Sequence, residues 1–182
     1  MFSNFVSDEQ ICTSDRSQFL RLFAEFKYII YNATRDMHDE MTISSSDVLV
    51  SHPDFDALRR KLEKRSNSKN LDGFGRFLYG LVLSANKQKA EARKQFVEAI
   101  KRQPYLWAAW KALLKVVPPS HDQLLNELPQ NSPLLPLFQV EWNISTGEAN
   151  DETMNALNEL LEIFPNSTWV HAQLGEVYAI AR

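Results

Sequence analysis

The chain has 182 residues, a formal net charge of −3 at pH 7 and one cysteine, Cys12. The acidic balance gives no reason to expect a nucleic-acid partner. One cysteine cannot form a disulfide within the chain, so a reducing compartment, the nucleus and cytoplasm, is the expected location. The longest apolar run, FLYGLVLSA, is about half as long as a spanning helix, so no membrane segment is predicted. The first residues lack the basic and apolar blocks of a signal peptide.

Helical spacing dominates residues 1–69, which we interpret as an amino-terminal helical region. A first helix is predicted from an apolar stripe whose members recur every three or four residues, namely Phe19, Phe23, Phe26 and Ile30, with Leu22 beside them. Residues 32–53 are polar and acidic and are predicted to form a loop insert. A basic helix is predicted at about 54–66, with its apolar residues turned inward: Phe55, Leu58 and Leu62.

Two chemical interpretations of this region are weaker than their structural alternatives. His38 lies among acidic residues that could bind a metal, but the spacing fits no known site, so a solvated loop is favoured over a metal site. The basic helix could bind an acidic partner or direct nuclear import through Arg59, Arg60, Lys61, Lys64 and Arg65. A solvated helix face is the favoured interpretation, because charged residues usually lie at the surface.

The segment NLDGFGRFLYG, residues 70–80, holds three of the five glycines. Gly73 and Gly75 begin like a dinucleotide-binding fingerprint, but the third position is Leu78. That fingerprint also needs a preceding strand, and strand patterns are nearly absent. A phosphate-binding loop is therefore not favoured, and no cofactor is predicted.

A 34-residue period explains these glycines better. A unit that begins at Gly73 matches the small, aromatic and proline positions of the tetratricopeptide repeat. The residues predicted to pack the repeats are Tyr79, Gly80, Ala92, Phe96, Ala99, Pro104 and, in later units, Trp110, Leu174, Gly175 and Tyr178. The predicted fold class is all-α: a right-handed solenoid of helix-turn-helix repeats.

The register of the repeat extends over residues 70–182. The predicted units are 73–106, a degenerate 107–133, 134–167 and a half-repeat, 168–182. A solenoid needs a polar cap at each end, and the last half-repeat, VHAQLGEVYAIAR, is apolar. We therefore expect the chain to be a fragment or a truncated product of a longer protein.

The first helices of the units are predicted to line a groove that binds a partner or a second copy. The groove residues are Phe74, Phe77, Leu81, Phe138, Trp142 and Trp169. Such an apolar groove is a liability when empty, so a protein partner is expected. If the register is displaced by one residue, these side chains are ordinary core instead, and that alternative stays open.

Three blocks are typical of one family. They are DGFGRFLYGLVL at 72–83, FVEA at 96–99 and PYLWAAW at 104–110. In these blocks the chain resembles the eighth subunit of the anaphase-promoting complex (cyclosome), the cell division cycle protein 23 family of tetratricopeptide proteins. The DGFG residues are not part of the general repeat pattern, so they point to this family. The resemblance covers about residues 16–182 and is strongest in 70–117.

The resemblance implies a non-catalytic scaffold of a ubiquitin ligase that acts in mitosis and cell division. It implies other subunits of the complex as partners, and a homodimer formed through the amino-terminal repeats. The family's opening repeat and its carboxy-terminal superhelix, which contacts the activator, have no counterpart here, so the resemblance leaves activator binding undecided while the dimer surface is expected to be partly kept.

Two alternatives remain open. A general tetratricopeptide adaptor would bind a peptide of a chaperone or another partner, for which only Lys111 and Lys115 could clamp a terminal carboxylate. An enzyme is disfavoured, because there is no Ser-His-Asp arrangement, metal spacing or pair of carboxylates placed for acid–base work. No small-molecule substrate is predicted.

Overall fold

The computed structural model describes residues 15–36, 53–68, 70–116 and 122–180. Every regular element in these ranges is an α-helix. The helices are α1 (Asp15–Asp36), α2 (Pro53–Asn67), α3 (Gly73–Ala85), α4 (Lys89–Arg102), α5 (Trp107–Leu114), α6 (Asp122–Glu127), α7 (Leu135–Thr146), α8 (Asp151–Ile163) and α9 (Thr168–Ile180). Within the described part of the chain, none of them combines the length and apolarity needed to cross a membrane. The predicted all-α class is confirmed.

The chain divides into two compact units, Met1–Gln103 and Pro104–Arg182. In the first unit, α1 packs on α2 and α3, α2 packs on α3, and the most extensive contact is between α3 and α4. In the second unit, α7 contacts α5, α8 and α9, and α8 packs on α9. Short turns join α3 to α4 and α8 to α9, so each pair is a helix-turn-helix element.

Helix α1 differs from its prediction in two ways. The stripe buried in the unit is Leu22, Phe26, Ile29 and Ala33, while Phe19, Phe23 and Ile30 are only partly buried. The helix also continues to Asp36, so the start of the predicted 32–53 insert is helical. Burial of Ala33 explains the extension, because the last turn still packs on the unit. The rest of that insert, 37–52, lies outside the described residues.

Helix α2 begins at Pro53, where a missing amide hydrogen costs nothing. Its inward residues, Phe55, Leu58 and Leu62, are at most 1% exposed, as the sequence predicts. Acidic residues occupy its first turn and basic residues its last, and both interact favourably with the helix dipole.

The second unit is built around two groups of buried side chains. Trp110 is fully buried, its ring centroid lies 5.4 Å from that of Phe138, and its indole Nε1 donates to the Pro104 carbonyl at 3.0 Å. The other group joins α7, α8 and α9 through Val140, Leu157, Val170 and Val177. Helix α8 begins with a reciprocal cap, since Asn150 accepts from the Thr153 amide and Thr153 Oγ1 accepts from the Asn150 amide.

Candidate protein-interaction face

Five apolar side chains form a partly exposed face on the first unit, which we call the aromatic face: Phe19, Phe23, Phe74, Phe77 and Leu81. Phe19 and Phe23 stack at 5.5 Å between ring centroids on α1. Phe19 also reaches α3, where its centroid lies 5.4 Å from that of Phe74. Phe77 and Leu81 follow Phe74 at helical spacing and are partly buried. The face therefore joins two helices through direct ring contacts.

Phe74 is the most exposed member of the aromatic face, with 37% of its surface accessible. Covering a large exposed apolar side chain lowers the free energy, so Phe74 favours contact with a partner. Lys27 Nζ lies 5.6 Å above the Phe23 ring and adds a positive charge beside it. The face can therefore make apolar and cation–π contacts, which are suited to the recognition of another protein.

The residues around Phe74 fix its position at the start of α3. Asp72 caps the helix by accepting from the Gly75 amide at 2.7 Å, a cap that contributes about 1 kcal/mol. A Cβ at Gly73 would clash with Gln103, which directly follows α4, and one at Gly75 would lie 2.9 Å from the Leu71 side chain. The two glycines thus let the backbone lie close to the unit on both sides of Phe74.

Helix α4 anchors the same segment from its far end. The Arg102 guanidinium donates to the Leu71 carbonyl at 2.8 Å, and Leu71 is 4% exposed. This bond joins the end of α4 to the residue that precedes the Asp72 cap. The segment that presents Phe74 is therefore held by both its own cap and the neighbouring helix.

Two ionisable groups on α3 lie away from the aromatic face and are buried. Burial lowers the pKa of Arg76, whose guanidinium donates to Gln95 at 2.9 Å. Burial raises the pKa of Tyr79, and the nearby Glu63 adds to that shift. In both cases burial is the main cause of the shift.

The residues predicted to pack the first repeat lie at the contact between α3 and α4. Ala92, Phe96 and Ala99 are fully buried, and Tyr79 is 8% exposed. A Cβ at Gly80 would lie 2.5 Å from Cε1 of Phe96. Gly80 thus permits the close approach of the two helices. The assignment of these residues to numbered repeat positions stays a prediction.

The predicted residues of the second unit fall into two environments. Phe138 and Trp142 are at most 2% exposed, so neither offers a surface to a partner. Trp169 and Leu174 pack partly buried against the core of α7, α8 and α9. Gly175 has no atom within 4 Å of a Cβ position, and Tyr178 is 61% exposed. Pro104 is partly buried at the start of the unit. The groove surface predicted at Phe138 and Trp142 is therefore not accessible, and the groove at Phe74, Phe77 and Leu81 stays a prediction.

Sequence reasoning did not assign Phe19 and Phe23 to the interaction face. It placed both on the apolar stripe of α1, without a partner for that stripe. Their spacing of four residues is the signal that could have identified them, because aromatic side chains so spaced can stack on one side of a helix. Their contact with Phe74 depends on the packing of α1 against α3.

Metal binding finds no support among the described residues, which include no group of three or more His, Cys, Asp or Glu placed to hold an ion. His38 and the acidic residues that follow it lie outside the described ranges. Lys111, a clamp candidate, pairs with Glu141 at 3.5 Å.

Comparison with known proteins finds that the chain is similar to one family. The sequence model of the family described as anaphase promoting complex subunit 8 / Cdc23 matches residues 4–175. The human cell division cycle protein 23 homolog is 26% identical over 172 residues, which are 92% of this chain and 28% of the human protein. The anaphase-promoting complex subunit 8 of Arabidopsis thaliana is 26% identical over 161 residues, covering 88% of this chain and 27% of that protein.

A third relative matches a shorter part of the chain. The anaphase-promoting complex subunit 8 of Dictyostelium discoideum is 27% identical over 109 residues, or 59% of this chain and 18% of that protein. The chain spans about a quarter of the length of the human and Arabidopsis relatives. Since the family model covers nearly the whole chain, the chain belongs to the anaphase-promoting complex subunit 8 / Cdc23 family.

Proposed function

We propose that the chain is a non-catalytic scaffold subunit of the anaphase-promoting complex, the ubiquitin ligase that drives mitotic progression. The observation that supports this most strongly is the family match over residues 4–175. Relatives from a plant and a slime mould are named as subunits of that complex. The proposed action is protein–protein contact with the other subunits, in the nucleus and cytoplasm.

The proposed scaffold includes a homodimer in which a second copy covers the aromatic face. This proposal rests on the contact between Phe19 and Phe74 and on the 37% exposure of Phe74. A face that holds several aromatic side chains together provides the kind of apolar centre that dominates protein interfaces. The Asp72 cap and the Arg102 contact support the same proposal, because a rigid anchor loses little entropy on binding.

The alternative, an adaptor that binds a peptide of a chaperone, depends on Lys111 and Lys115. The ion pair between Lys111 and Glu141 weighs against it, because a clamp lysine must be available for the terminal carboxylate of the peptide. A terminal carboxylate would have to compete with Glu141.

The direct test is affinity purification of the tagged chain from extract of dividing cells, with mass spectrometry of the bound proteins. Recovery of other cyclosome subunits supports the scaffold, and their loss with an Asp substitution at Phe74 would connect assembly to the aromatic face. Recovery of chaperones alone supports the adaptor. Recovery of the untagged chain alone supports only the dimer.

A substitution at Phe74 tests the dimer by itself. Phe74→Asp is expected to weaken self-association by at least about tenfold, because a charge must then be buried in the interface. Sedimentation velocity over a range of protein concentrations measures the dissociation constant. Since Phe74 is partly exposed in the isolated chain, the far-ultraviolet circular dichroism spectrum should not change.

The matched control is Tyr105→Asp, which makes the same kind of change at an aromatic residue that is 76% exposed and lies outside the aromatic face. This variant should sediment like the parent chain. If Phe74→Asp also sediments like the parent at every concentration, a second copy does not cover the aromatic face.

A further inference from the structure

Helix α1 carries a second apolar stripe in addition to the one that is buried in the first unit. Its members are spaced by three or four residues, so they lie along one side of the helix: Leu20, Ala24, Tyr28 and Tyr31. All four are exposed, and Leu20, Tyr28 and Tyr31 keep 56%, 50% and 62% of their surface accessible. We call these four residues the α1 ridge. The exposed side of a packed helix is usually polar, so an apolar ridge there indicates a contact with another molecule.

The α1 ridge lies on the side of the helix that faces away from α2 and α3. The buried Leu22 follows Leu20 by two positions, which is slightly more than half a turn of helix. On one flank of the buried stripe, Glu25 binds Lys61 of α2 at 2.7 Å. On its other flank, Phe19 contacts a ring of α3 at 5.4 Å between centroids. The contacts of α1 with both neighbouring helices therefore leave the ridge accessible to a partner.

Positively charged side chains border the α1 ridge. Arg16, Lys27 and Arg35 are exposed, and their helical spacing places them on the same side of α1 as the ridge. Lys27 lies 5.6 Å above the Phe23 ring, so it stands between the ridge and the aromatic face. The side chains that border the ridge along α1 therefore give it a positive charge.

The helix itself supplies no negative charge on the side of the ridge. From Arg16 to Arg35, the sequence of α1 contains one acidic residue, Glu25. Its carboxylate is turned toward α2, where it binds Lys61, and its side chain is 13% exposed. The ridge side of α1 thus combines apolar side chains with positive charge, without a carboxylate of α1 to offset that charge.

We propose that the α1 ridge docks a segment of a partner protein in which apolar side chains alternate with Asp or Glu. The apolar side chains would cover the ridge, and the carboxylates would meet its bordering cations. Nucleic acids and anionic membranes match the charge but extend far beyond one helix, so they also meet a chain whose net charge is −3. A helix that lies on a membrane also buries its most apolar side in lipid, whereas the most buried stripe of α1 is packed in the unit.

The test measures binding of fluorescent peptides to the full chain by anisotropy in about 50 mM salt, where surface charges are weakly screened. The probe is a peptide of repeated Glu-Glu-Phe. Two matched peptides each lack one feature: repeated Gln-Gln-Phe has no charge, and repeated Glu-Glu-Ser has no large apolar side chain. The probe should bind roughly five- to tenfold more tightly than either, because the apolar contacts and the ion pairs both contribute.

A double variant assigns the binding to the α1 ridge. Tyr28→Ser combined with Tyr31→Ser should weaken binding of the probe roughly tenfold, since it removes two apolar side chains without changing the charge. The matched control is Tyr105→Ser combined with Tyr178→Ser, which makes the same change at tyrosines that are 76% and 61% exposed and lie outside α1. The control should bind within about twofold of the parent. Serine and tyrosine have similar helix propensities, so circular dichroism of both variants should match the parent.

Several results would overturn the proposal. One is probe binding no tighter than that of the two matched peptides, and another is an equal loss in both double variants, which would place the binding elsewhere. Weaker self-association of the ridge variant in sedimentation would make a second copy the occupant. Tighter binding of oligothymidine, or of vesicles of phosphatidylserine and phosphatidylcholine, through the same tyrosines would change the class of partner. Phe74→Asp should leave probe binding within about twofold of the parent, so this proposal and the dimer can fail separately.

Discussion

Phe96→Ala is expected to lower the free energy of unfolding by roughly 3–5 kcal/mol. Phe96 is fully buried between α3 and α4, and its ring lies 6.2 Å from that of Phe77. Removing the ring leaves a cavity at the most extensive helix contact of the first unit. Urea denaturation followed by circular dichroism measures the loss. A loss below about 1 kcal/mol would mean that the two helices close the cavity.

A second variant tests the same contact between α3 and α4 by changing Gly80. Gly80→Leu should destabilise by about 1–3 kcal/mol, because its side chain meets the Phe96 ring. In the double variant with Phe96→Ala, the leucine can occupy the vacated space, so the combined loss should be smaller than the sum of the two. Strict additivity would mean that the two sites do not share a cavity.

Gly175→Leu is the matched control for Gly80. A Cβ at Gly175 meets nothing within 4 Å, so the main expected change there is in helix propensity. That variant should be neutral or more stable by up to about 1 kcal/mol, since glycine is a poor helix former. The difference between the two glycine variants isolates the steric cost at Gly80.

Trp110→Ala is expected to cost roughly 3–5 kcal/mol in the second unit. The change removes a fully buried indole, its ring contact with Phe138 and its hydrogen bond to the Pro104 carbonyl. Hydrogen exchange followed by mass spectrometry can assign the loss to peptides of this unit. Protection should fall in α5 and α7, whose helices are in contact.

Trp110→Phe separates ring packing from the hydrogen bond. It keeps an aromatic ring near Phe138 but removes the donor to Pro104, so a smaller loss of about 1–3 kcal/mol is expected. Equal losses for the Phe and Ala variants would mean that packing against Phe138 contributes little. An unchanged exchange pattern in α5 and α7 would contradict the role given to Trp110.

Local features of the fold follow from sequence because their causes are local. The inward side of α2 is predictable since Phe55, Leu58 and Leu62 recur at the helical period and polar residues fill the positions between them. The inward side of α1 is harder to predict. Half of its 22 residues are apolar, so spacing alone does not decide between Ile29, which is buried, and Ile30, which is partly exposed.

The candidate site depends on contacts between distant residues, which spacing does not provide. Phe77 and Phe138 take the same position in the first and third predicted units, yet Phe77 is only partly buried and Phe138 is fully buried. Phe138 packs against both Trp110 and Trp142, whereas Phe77 contacts Phe96. The position of a residue in a repeat does not tell which side chains of other helices contact it, so it cannot distinguish the two environments.

Charge is divided unequally along the chain, and a count over sequence segments is enough to find this: residues 53–103 hold 13 basic and 6 acidic residues. The structure adds that Arg59 binds two of those acidic side chains, Asp56 and Glu63. The net charge of the whole chain, −3, does not reveal this division.

The three-residue turn between α3 and α4 has a consequence for biosynthesis. Bringing together two helices that are so close in sequence costs little loop-closure entropy. Val82 of α3 and Ile100 of α4 are fully buried in the core that the two helices share, and both helices are complete at Arg102. On a ribosome, which makes the chain from its amino terminus, both halves of this core exist before any helix of the second unit is translated.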